Sequence, residues 1–372
     1  MATGSDLLEP LNDSAHMRHA LGLAERALGR VAPNPAVGCV VVGRHGKIVG
    51  RGWTGHGGRP HAETLALAQA GESARGATAY VTLEPCAHHG ETPPCAEALV
   101  QAGIARVVVA VTDPDPRVNG RGLGRLREAG IEVRSPLLEC EAAALNAGFF
   151  LRVNEQRPLV TLKIAASIDG RIASAGGESR WITGEEARRF AHLMRARHDA
   201  ILVGVETALA DDPLLTCRIP GLEGASPLRV VLDTRLRLNE GSNLARTARE
   251  IPTLVFTAAE GGGALAESGV EIVKVSRDAR GRPEIGAVLG ELAARGITRL
   301  LVEGGASVHA SFLDRTCVDR LEIFRGSVAL GASGQAAIDA LAALSLDEAP
   351  RFVSVGIRQL GGDVLESFEV RH

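Results

Sequence analysis

Two short motifs constrain the fold of this chain more than any other feature of its sequence. The first is a His-Ala-Glu tripeptide, and the second is a pair of Pro-Cys dipeptides with eight residues between the two cysteines. Imidazole and thiolate groups are zinc ligands, and three of them leave the fourth tetrahedral position open for water. The predicted ligands are His61, Cys86 and Cys95, which must therefore meet in the fold. Glu63 would remain free to move protons.

Apolar strand-like runs alternate with helical segments around these motifs. The predicted strands are residues 36–42, 47–53, 77–83, 106–111 and 131–134, and the predicted helices run from Asp13 or Ser14 to about 29, then 61–70, 94–102 and 122–129. This alternation predicts an α/β layer with helices on both faces. His61 and both Pro-Cys motifs fall at predicted helix N-termini, where the helix dipole lowers the pKa of a thiol and favours a neutral imidazole.

A second alternation follows a linker at 153–158. The predicted strands are 159–166, 199–204, 228–233, 252–257, 270–275, 299–303, 318–324 and 352–358, and the predicted helices are 184–197 and 284–294. A chain of 372 residues usually forms more than one core. We therefore predict two domains, residues 1–152 and 153–372. No Gly-x-Gly-x-x-Gly motif follows a predicted strand, so a standard dinucleotide fingerprint is absent.

Composition favours an enzyme for small molecules. The formal net charge is −3, and residues 1–150 carry 14 basic against 15 acidic residues, so we expect no nucleic-acid partner. We expect no membrane contact, because no apolar run reaches about 18 residues, and no signal peptide, because a basic segment leading into an apolar core is missing. Six cysteines without regular spacing form no disulfide framework, which predicts a cytoplasmic protein.

The first motif set resembles the cytidine-deaminase-like superfamily. In its tRNA- and cytidine-acting branches the cysteines are usually two residues apart. The wider loop here, with Thr92-Pro-Pro-Cys95 and Pro33-Asn-Pro-Ala-Val-Gly38, is similar to the deaminase of riboflavin biosynthesis. The resemblance implies a phosphorylated diaminopyrimidine substrate that loses its 2-amino group, with Zn²⁺ as cofactor and Asn34 as a substrate contact. Asn34 is equally consistent with a plain turn between two prolines.

Two other interpretations of the zinc motif stay open at this point. His88 or His89 would close the site as a fourth ligand, which would make the zinc structural. A nucleic-acid deaminase of the tRNA type with an accessory domain is the alternative enzyme. Two positions also differ from the family pattern: Glu91 stands where a basic residue is common, and Asp115 where Asn is common.

The downstream loops resemble the reductase of the same family, which has a dihydrofolate-reductase-like fold and uses NADPH. The implied cofactor contacts are Ala165, Trp181, Thr207, Asp211, Thr234, Gly305, Ala306 and Ser307. The implied substrate contacts are Ser179, Arg195, Leu215, Arg218 and Glu303, with the two arginines near the substrate phosphate.

Each reductase residue has a plainer interpretation when it is taken alone. Trp181 would also serve as core filler, Asp211 as a cap and Arg195 as part of a solvated helix face, and residues 302–307 also fit a bare Gly-Gly turn. The order in which these motifs follow one another along the chain favours roles in a reductase site over the plainer interpretations. We therefore expect a bifunctional enzyme, which we also expect to be a homo-oligomer.

Overall fold

The computed structural model describes residues 9–88 and 93–370. The chain divides into two compact units, one ending at Glu155 and the other beginning at Gln156. Within the described ranges, no helix is both long enough and apolar enough to cross a membrane.

The N-terminal unit is built on a five-stranded sheet. Its helices are α1 (Glu9–Ala24), α2 (Ala62–Ala70), α3 (Cys95–Gln101), α4 (Arg121–Glu128), α5 (Glu139–Leu145) and α6 (Ala147–Glu155). Its strands are β1 (Gly38–Val42), β2 (Ile48–Trp53), β3 (Thr78–Val81), β4 (Arg106–Val109) and β5 (Glu132–Arg134). The strand order is β2-β1-β3-β4-β5. Strand β1 is antiparallel to both of its neighbours, whereas β3, β4 and β5 are parallel.

Two glycines let helices approach both faces of this sheet. Gly38 pairs with Trp53, and paired residues point to the same face of a sheet. Gly52, one residue before Trp53, therefore points to the opposite face from Gly38. A Cβ atom at Gly38 would lie 1.9 Å from the carbonyl oxygen of Ala20 in α1, and one at Gly52 would lie 2.1 Å from that of Ala62 in α2. The predicted two-faced layer is confirmed. The contact at Gly52 also fixes the start of α2, where His61 lies.

The predicted helix start at Asp13 or Ser14 is wrong, because α1 is already helical before these residues. Asp13 is a buried residue within the helix, and its carboxylate accepts hydrogen bonds from Tyr80 (2.7 Å), Arg106 (2.8 and 2.9 Å) and Arg134 (2.6 Å). These partners lie on β3, β4 and β5. Asp13 therefore ties the first helix to three strands instead of capping it.

The C-terminal unit is built on a nine-stranded sheet. Its helices are α7 (Glu185–Ala196), α8 (Val205–Asp211), α9 (Asn243–Arg246), α10 (Gly263–Glu267), α11 (Ile285–Ala294) and α12 (Ala306–Asp314). Its strands are β6 (Leu159–Ala166), β7 (Arg171–Ala173), β8 (Ala200–Gly204), β9 (Leu228–Leu232), β10 (Thr253–Thr257), β11 (Glu271–Lys274), β12 (Arg299–Gly304), β13 (Arg320–Arg325), β14 (Gln335–Ala336), β15 (Phe352–Leu360) and β16 (Asp363–Val370). Strands β7 and β14 form a separate pair.

The strand order of the large sheet brings four chain segments to one edge. The order is β11-β10-β9-β8-β12-β6-β13-β16-β15, and the first seven strands are parallel. Strand β12 inserts between β8 and β6, although it follows β11 along the chain. Ligands of open parallel sheets bind beyond the carboxyl ends of the strands, where the order of the strands reverses. The loops after β6, β8, β9 and β12 therefore share the edge where a ligand is expected.

The last strand of the sheet was missed by the sequence prediction, which ended at 352–358. Strand β16 pairs with β13 on one side and with β15 on the other, both antiparallel. The sequence signal for it was the Gly361-Gly362 pair, which forms the turn between the two strands, with a φ of 62° at Gly361. Strand β15 is consequently the edge strand of the sheet.

Two candidate active sites

Three predicted zinc ligands meet in the N-terminal unit. The ligand atoms of His61, Cys86 and Cys95 all lie within 4.8 Å of one another. His61 Nδ1 is 3.1 Å from the Sγ of Cys95 and 3.6 Å from the Sγ of Cys86. Tetrahedral bonds of about 2.0–2.3 Å would separate the ligand atoms by about 3–4 Å. One nitrogen and two sulfur atoms at these separations fit zinc.

Helix starts place two of the ligands, but not the third. His61 is the N-cap of α2 and Cys95 is the first residue of α3, as predicted. Cys86 lies in an irregular segment after β3, so the prediction that it opens a helix is wrong. The N–H group of Cys95 donates to the Sγ of Cys86 (3.2 Å), and the N–H group of Ala96 donates to its carbonyl oxygen (3.2 Å). The start of α3 thus holds both cysteines.

Hydrogen bonds among these groups shift their pKa values in different directions. The hydrogen bond with Cys86, together with burial, holds the pKa of the Cys95 thiol well above its usual range. The hydrogen bond from Cys95, followed by that from His61, lowers the pKa of Cys86 to about 4, against the effect of burial. The hydrogen bond with Cys86 also raises the pKa of His61, which does not match the neutral imidazole predicted from the helix dipole alone. Glu63 is only 4% exposed, and burial, together with the charge of Cys86, raises its pKa to about 7. A carboxyl group of this kind gains and loses protons near neutral pH.

Of the remaining residues predicted for the first site, Asn34 contacts the loop that leads to His61. Asn34 is half-buried and donates through Nδ2 to the carbonyl oxygen of Gly57 (3.5 Å). His88 is exposed and is not among the clustered ligand atoms of the described residues. His89 and Glu91 lie outside the described residues.

In the C-terminal unit, a buried ion pair joins two predicted substrate contacts. Arg195 on α7 donates through Nε and Nη2 to both carboxylate oxygens of Glu303 on β12, at 2.8 and 2.9 Å. Lys163 on β6 lies 3.5 Å from the same carboxylate. Burial raises the pKa of Glu303, but the charges of Arg195 and Lys163 outweigh it and hold that pKa well below its usual range. Arg195 is therefore not part of a solvated helix face.

A second group of polar residues extends this cluster toward solvent. The carbonyl oxygen of Thr216 accepts hydrogen bonds from Nη1 of Arg195 and Nδ1 of His192, both at 3.0 Å. Burial and the charges of Arg195 and Arg218 lower the pKa of His192 to about 4. The neutral ring can then accept from the exposed Arg218, whose Nη2 lies 3.2 Å from Nε2. Leu215, next to Thr216, is buried beside them.

The predicted cofactor residues lie at the carboxyl edge of the sheet. Gly305 caps α12 with a φ of 85°, and a Cβ atom there would lie 3.0 Å from the hydroxyl of Thr207 on α8. Ala165 is near the end of β6, and Thr234 lies in the turn after β9. The Oγ atom of Ser307, which follows Ala306 in the first turn of α12, is 2.8 Å from a donating nitrogen of Arg282. The absence of a side chain at Gly305 and the free N–H groups at the start of α12 suit a phosphate group of a dinucleotide.

Trp181 forms an exposed platform near α8. Its side chain is 66% exposed, so it is not core filler, and the guanidinium carbon of Arg188 lies 4.4 Å from a ring centroid. Arg180 donates to the carbonyl oxygen of Asp211 (2.8 Å), which brings Asp211 next to the segment that carries Trp181. Ser179 is half-buried on the same segment. An exposed indole held on one face can stack on a flat cofactor ring.

Sequence reasoning missed Lys163 and His192. Lys163 is the only charged residue in the largely apolar strand β6, and His192 lies three residues before Arg195 on α7. Both signals were present in the sequence. A lone charge on a buried strand needs a partner, and residues three apart share one helix face.

Comparisons with known proteins cover both units. Residues 10–111 match the family of the cytidine and deoxycytidylate deaminase zinc-binding region, and residues 158–365 match the RibD C-terminal domain. The riboflavin biosynthesis protein RibD of Aquifex aeolicus is 41% identical over 96% of this chain and 98% of its own, and that of Escherichia coli is 40% identical over 95% and 98%. The chain belongs to the RibD family. It is therefore a bifunctional enzyme of riboflavin biosynthesis, a deaminase and a reductase, with Zn²⁺ and NADPH as cofactors.

Solved structures of RibD-family proteins agree along the whole chain. Acinetobacter baumannii RibD has a TM-score of 0.86 at 38% identity and covers 98% of this chain and 100% of its own. A Thermotoga maritima structure has a TM-score of 0.88 at 36% identity with the same coverage, and it is described as a diaminohydroxyphosphoribosylaminopyrimidine deaminase/5-amino-6-(5-phosphoribosylamino)uracil reductase. The predicted fold classes, cytidine-deaminase-like followed by dihydrofolate-reductase-like, are confirmed.

Proposed function

We propose that each unit carries one of the two activities. In this proposal residues 1–152 deaminate 2,5-diamino-6-(5-phosphoribosylamino)pyrimidin-4-one, and residues 153–372 reduce the ribosyl chain of the product to a ribityl chain. The observation that carries the proposal is the convergence of one imidazole and two thiol ligands beside a buried carboxyl group in the N-terminal unit. The description of the Thermotoga maritima relative supports the choice of substrate.

In the deaminase site, His61, Cys86 and Cys95 are the proposed zinc ligands and Glu63 is the proposed catalytic residue. When bound, zinc supplies a Lewis acid that activates water for attack on the pyrimidine. In the proposal, Glu63 takes a proton from the attacking water and delivers it to the departing nitrogen, which leaves as ammonia, as the Glu of nucleobase deaminases does. Its raised pKa suits both halves of this transfer. Asn34 is the proposed pyrimidine contact.

In the reductase site, the proposed cofactor contacts are Ala165, Trp181, Thr207, Asp211, Thr234, Gly305, Ala306 and Ser307. Asp211 ends α8 and lies next to the segment that carries Trp181, and the other six lie at the carboxyl edge of the sheet. NADPH supplies the hydride when bound, and the protein orients the sugar carbon that receives it. The proposed substrate contacts are Ser179, Arg195, Leu215, Arg218 and Glu303.

The hydrogen bonds and exposure of Arg195 and Arg218 favour different roles for these two residues. Glu303 and Thr216 engage Nε, Nη1 and Nη2 of Arg195, so Arg195 orients the carboxylate of Glu303, which balances its charge. Lys163 then leaves the cluster with a net positive charge for the proposed substrate phosphate. Arg218 is exposed and is better placed to bind the phosphate directly. Lys163, which pairs with Glu303, joins the proposed site as a second cation.

We also propose a cytoplasmic homo-oligomer that does not act on nucleic acid. Reduced thiols at Cys86 and Cys95 suit the cytoplasm. The edge strand β15 exposes Val353, Val355 and Ile357, the last with 73% of its surface accessible, and a second copy would cover them. Cleavage of the amino group from an RNA oligomer by the purified protein would favour the alternative, a nucleic-acid deaminase.

Mass spectrometry of the products tests the proposed function. The purified enzyme is supplied with the diaminopyrimidine, with and without NADPH. We expect the deaminated ribosylamino compound without NADPH and the deaminated ribitylamino compound with it. Release of the amino group that requires NADPH, or reduction of the diaminopyrimidine before deamination, would contradict the proposal.

A further inference from the structure

A buried carboxylate that none of the proposed roles uses lies two residues before Cys86. Glu84 is only 3% exposed. Its Oε1 accepts the N–H groups of Gly122 (2.8 Å) and Leu123 (3.2 Å), and its Oε2 accepts those of Gly120 (2.9 Å) and Asp113 (3.3 Å). Four backbone donors thus converge on one side chain.

These donors belong to the start of α4 and to the loop after β4. The N-cap of α4 is Gly120, which has no side chain to satisfy the free N–H groups of the first turn. Glu84, from the segment after β3, supplies the missing acceptor, and its negative charge also suits the positive end of the helix. The carboxylate therefore fastens the segment after β3 to α4.

A close approach of two backbones reinforces this connection. A Cβ atom at Gly122 would lie 2.0 Å from the carbonyl oxygen of Pro85, so only glycine lets the Glu84–Cys86 segment lie against α4. On its other side, Cys86 accepts the N–H groups of Cys95 and Ala96 at the start of α3. The segment 84–86 thus lies between two helix starts, with Glu84 and Pro85 against α4 and Cys86 against α3.

We propose that Glu84 is a positioning residue for the zinc ligand Cys86, and that its carboxylate with Gly122 sets the geometry of the metal site before zinc binds. The inference rests on the proposed ligand set of His61, Cys86 and Cys95. Groups that orient metal ligands typically contribute about 10- to 100-fold to metal affinity. A carboxylate that merely stabilised the fold would leave the affinity of the folded protein unchanged.

The full-length protein offers a matched set of variants. Glu84→Gln keeps the shape of the side chain, but its amide group faces backbone donors that then lack an acceptor. Gly122→Ala displaces Pro85 without changing any charge. Gly124→Ala is the control, because it makes the same substitution in the same helix where no atom lies within 4 Å. Cys86→Ser tests the ligand set itself.

Zinc affinity is measured by competition with a chelator, and ligand geometry by the thiolate charge-transfer spectrum of the Co²⁺-substituted protein. We expect Glu84→Gln and Gly122→Ala each to weaken zinc binding by about 10- to 100-fold and to alter the cobalt spectrum. Gly124→Ala should match the wild type. Reductase turnover with the deaminated substrate should persist in all four variants, which confirms that the C-terminal unit is folded.

The outcomes distinguish a failure of the positioning role from a failure of the ligand set. Wild-type zinc affinity and an unchanged cobalt spectrum in Glu84→Gln would overturn the positioning role, even if urea unfolds the variant more easily. If Glu84→Gln does not fold, Gly122→Ala decides in the same way, since wild-type affinity there would overturn it. Wild-type zinc affinity in Cys86→Ser would instead refute the ligand set.

Discussion

The two units assemble their proposed sites in opposite ways. In the N-terminal unit, ligands and proton carrier lie between residues 61 and 95, and two helix starts hold His61 and Cys95. In the C-terminal unit, the polar cluster joins Lys163, Arg195 and Glu303, which are far apart in sequence and meet through the order of parallel strands. A site with local backbone geometry is readable as a motif, whereas in a site gathered by topology the pairing of the residues, such as Lys163 with Glu303, is not.

The largest expected effect is a loss of deamination that leaves the reductase activity unchanged. Glu63→Gln removes the proton carrier and keeps the side-chain shape, so we expect deamination to fall by about 100- to 10,000-fold. Zinc content, measured by metal analysis, should stay at the wild-type level because Glu63 is not a proposed ligand. Reduction of the deaminated substrate should also be unchanged. A parallel loss of reductase turnover would break the separation of the sites.

The second prediction concerns the ion pair of the C-terminal site. Glu303→Gln leaves Arg195 and Lys163 without their carboxylate in a buried setting, so we expect the free energy of unfolding of that unit to fall by about 3–5 kcal/mol. Glu206→Gln is the control, because its pair with Arg237 is exposed and worth at most about 1 kcal/mol. Urea unfolding measures both variants. Equal effects would show that burial does not set the strength of the pair.

A third prediction tests how the N-terminal unit is held together away from its metal site. Burial raises the pKa of Asp13, but hydrogen bonds from Arg106 and Tyr80 and the charge of Arg134 outweigh it, so the net pKa is lowered. The folded state then binds this proton less readily than the unfolded state. The stabilisation is present above the ordinary pKa of Asp, about 4, and is lost as the pH falls through the folded value.

Asp13→Asn should therefore destabilise the protein at neutral pH, by about 1.5–3 kcal/mol for hydrogen bonds to charged groups. The difference from the wild type should shrink as the pH is lowered toward about 3. Urea midpoints of both proteins across this range measure the effect. A difference that grows as the pH falls would show that the sign of the pKa shift is wrong.

The smallest expected effect concerns the Trp181 platform. Arg188→Met removes a guanidinium group stacked on the indole, a contact worth about 0.5–2 kcal/mol, so NADPH binding should weaken by about twofold to thirtyfold. The protein has two Trp residues, so Trp53→Phe leaves Trp181 as the only indole and its quenching by NADPH reports binding. Arg189→Met, at the exposed neighbouring position, is the control. If quenching showed the same NADPH affinity with and without Arg188→Met, Arg188 would not hold Trp181 as a platform for the cofactor.

Much of the fold followed from sequence periodicity. The hairpin of β1 and β2, the helices that begin after His61 and Pro94, and most parallel strands lie close to the predicted ranges. These segments have strong apolar patterns bounded by Gly or Pro, which is where local sequence and fold agree. The zinc motif was predictable for the same reason, because its spacing belongs to the backbone that carries it.

The missed features depend on contacts between distant segments. Asp is a residue type that commonly caps helices, but the partners of Asp13 lie on three strands. Cys86 follows a proline but does not begin a helix. Lys163 forms its ion pair with Glu303 only because β12 pairs with β6 in the folded sheet. Long-range pairing decides each of these cases. The sequence shows that Lys163 is a lone charge on a buried strand, but it does not show which residue pairs with it.

One mixing experiment tests most directly whether two independent sites share this chain. Glu63→Gln and Glu303→Gln proteins are each supplied with the diaminopyrimidine and NADPH, first separately and then together, and the ribitylamino product is measured by mass spectrometry. We predict little product from either variant alone and substantial product from the mixture, because each variant supplies the step that the other lacks. A mixture as inactive as its components, or full product from Glu63→Gln alone, would contradict the account.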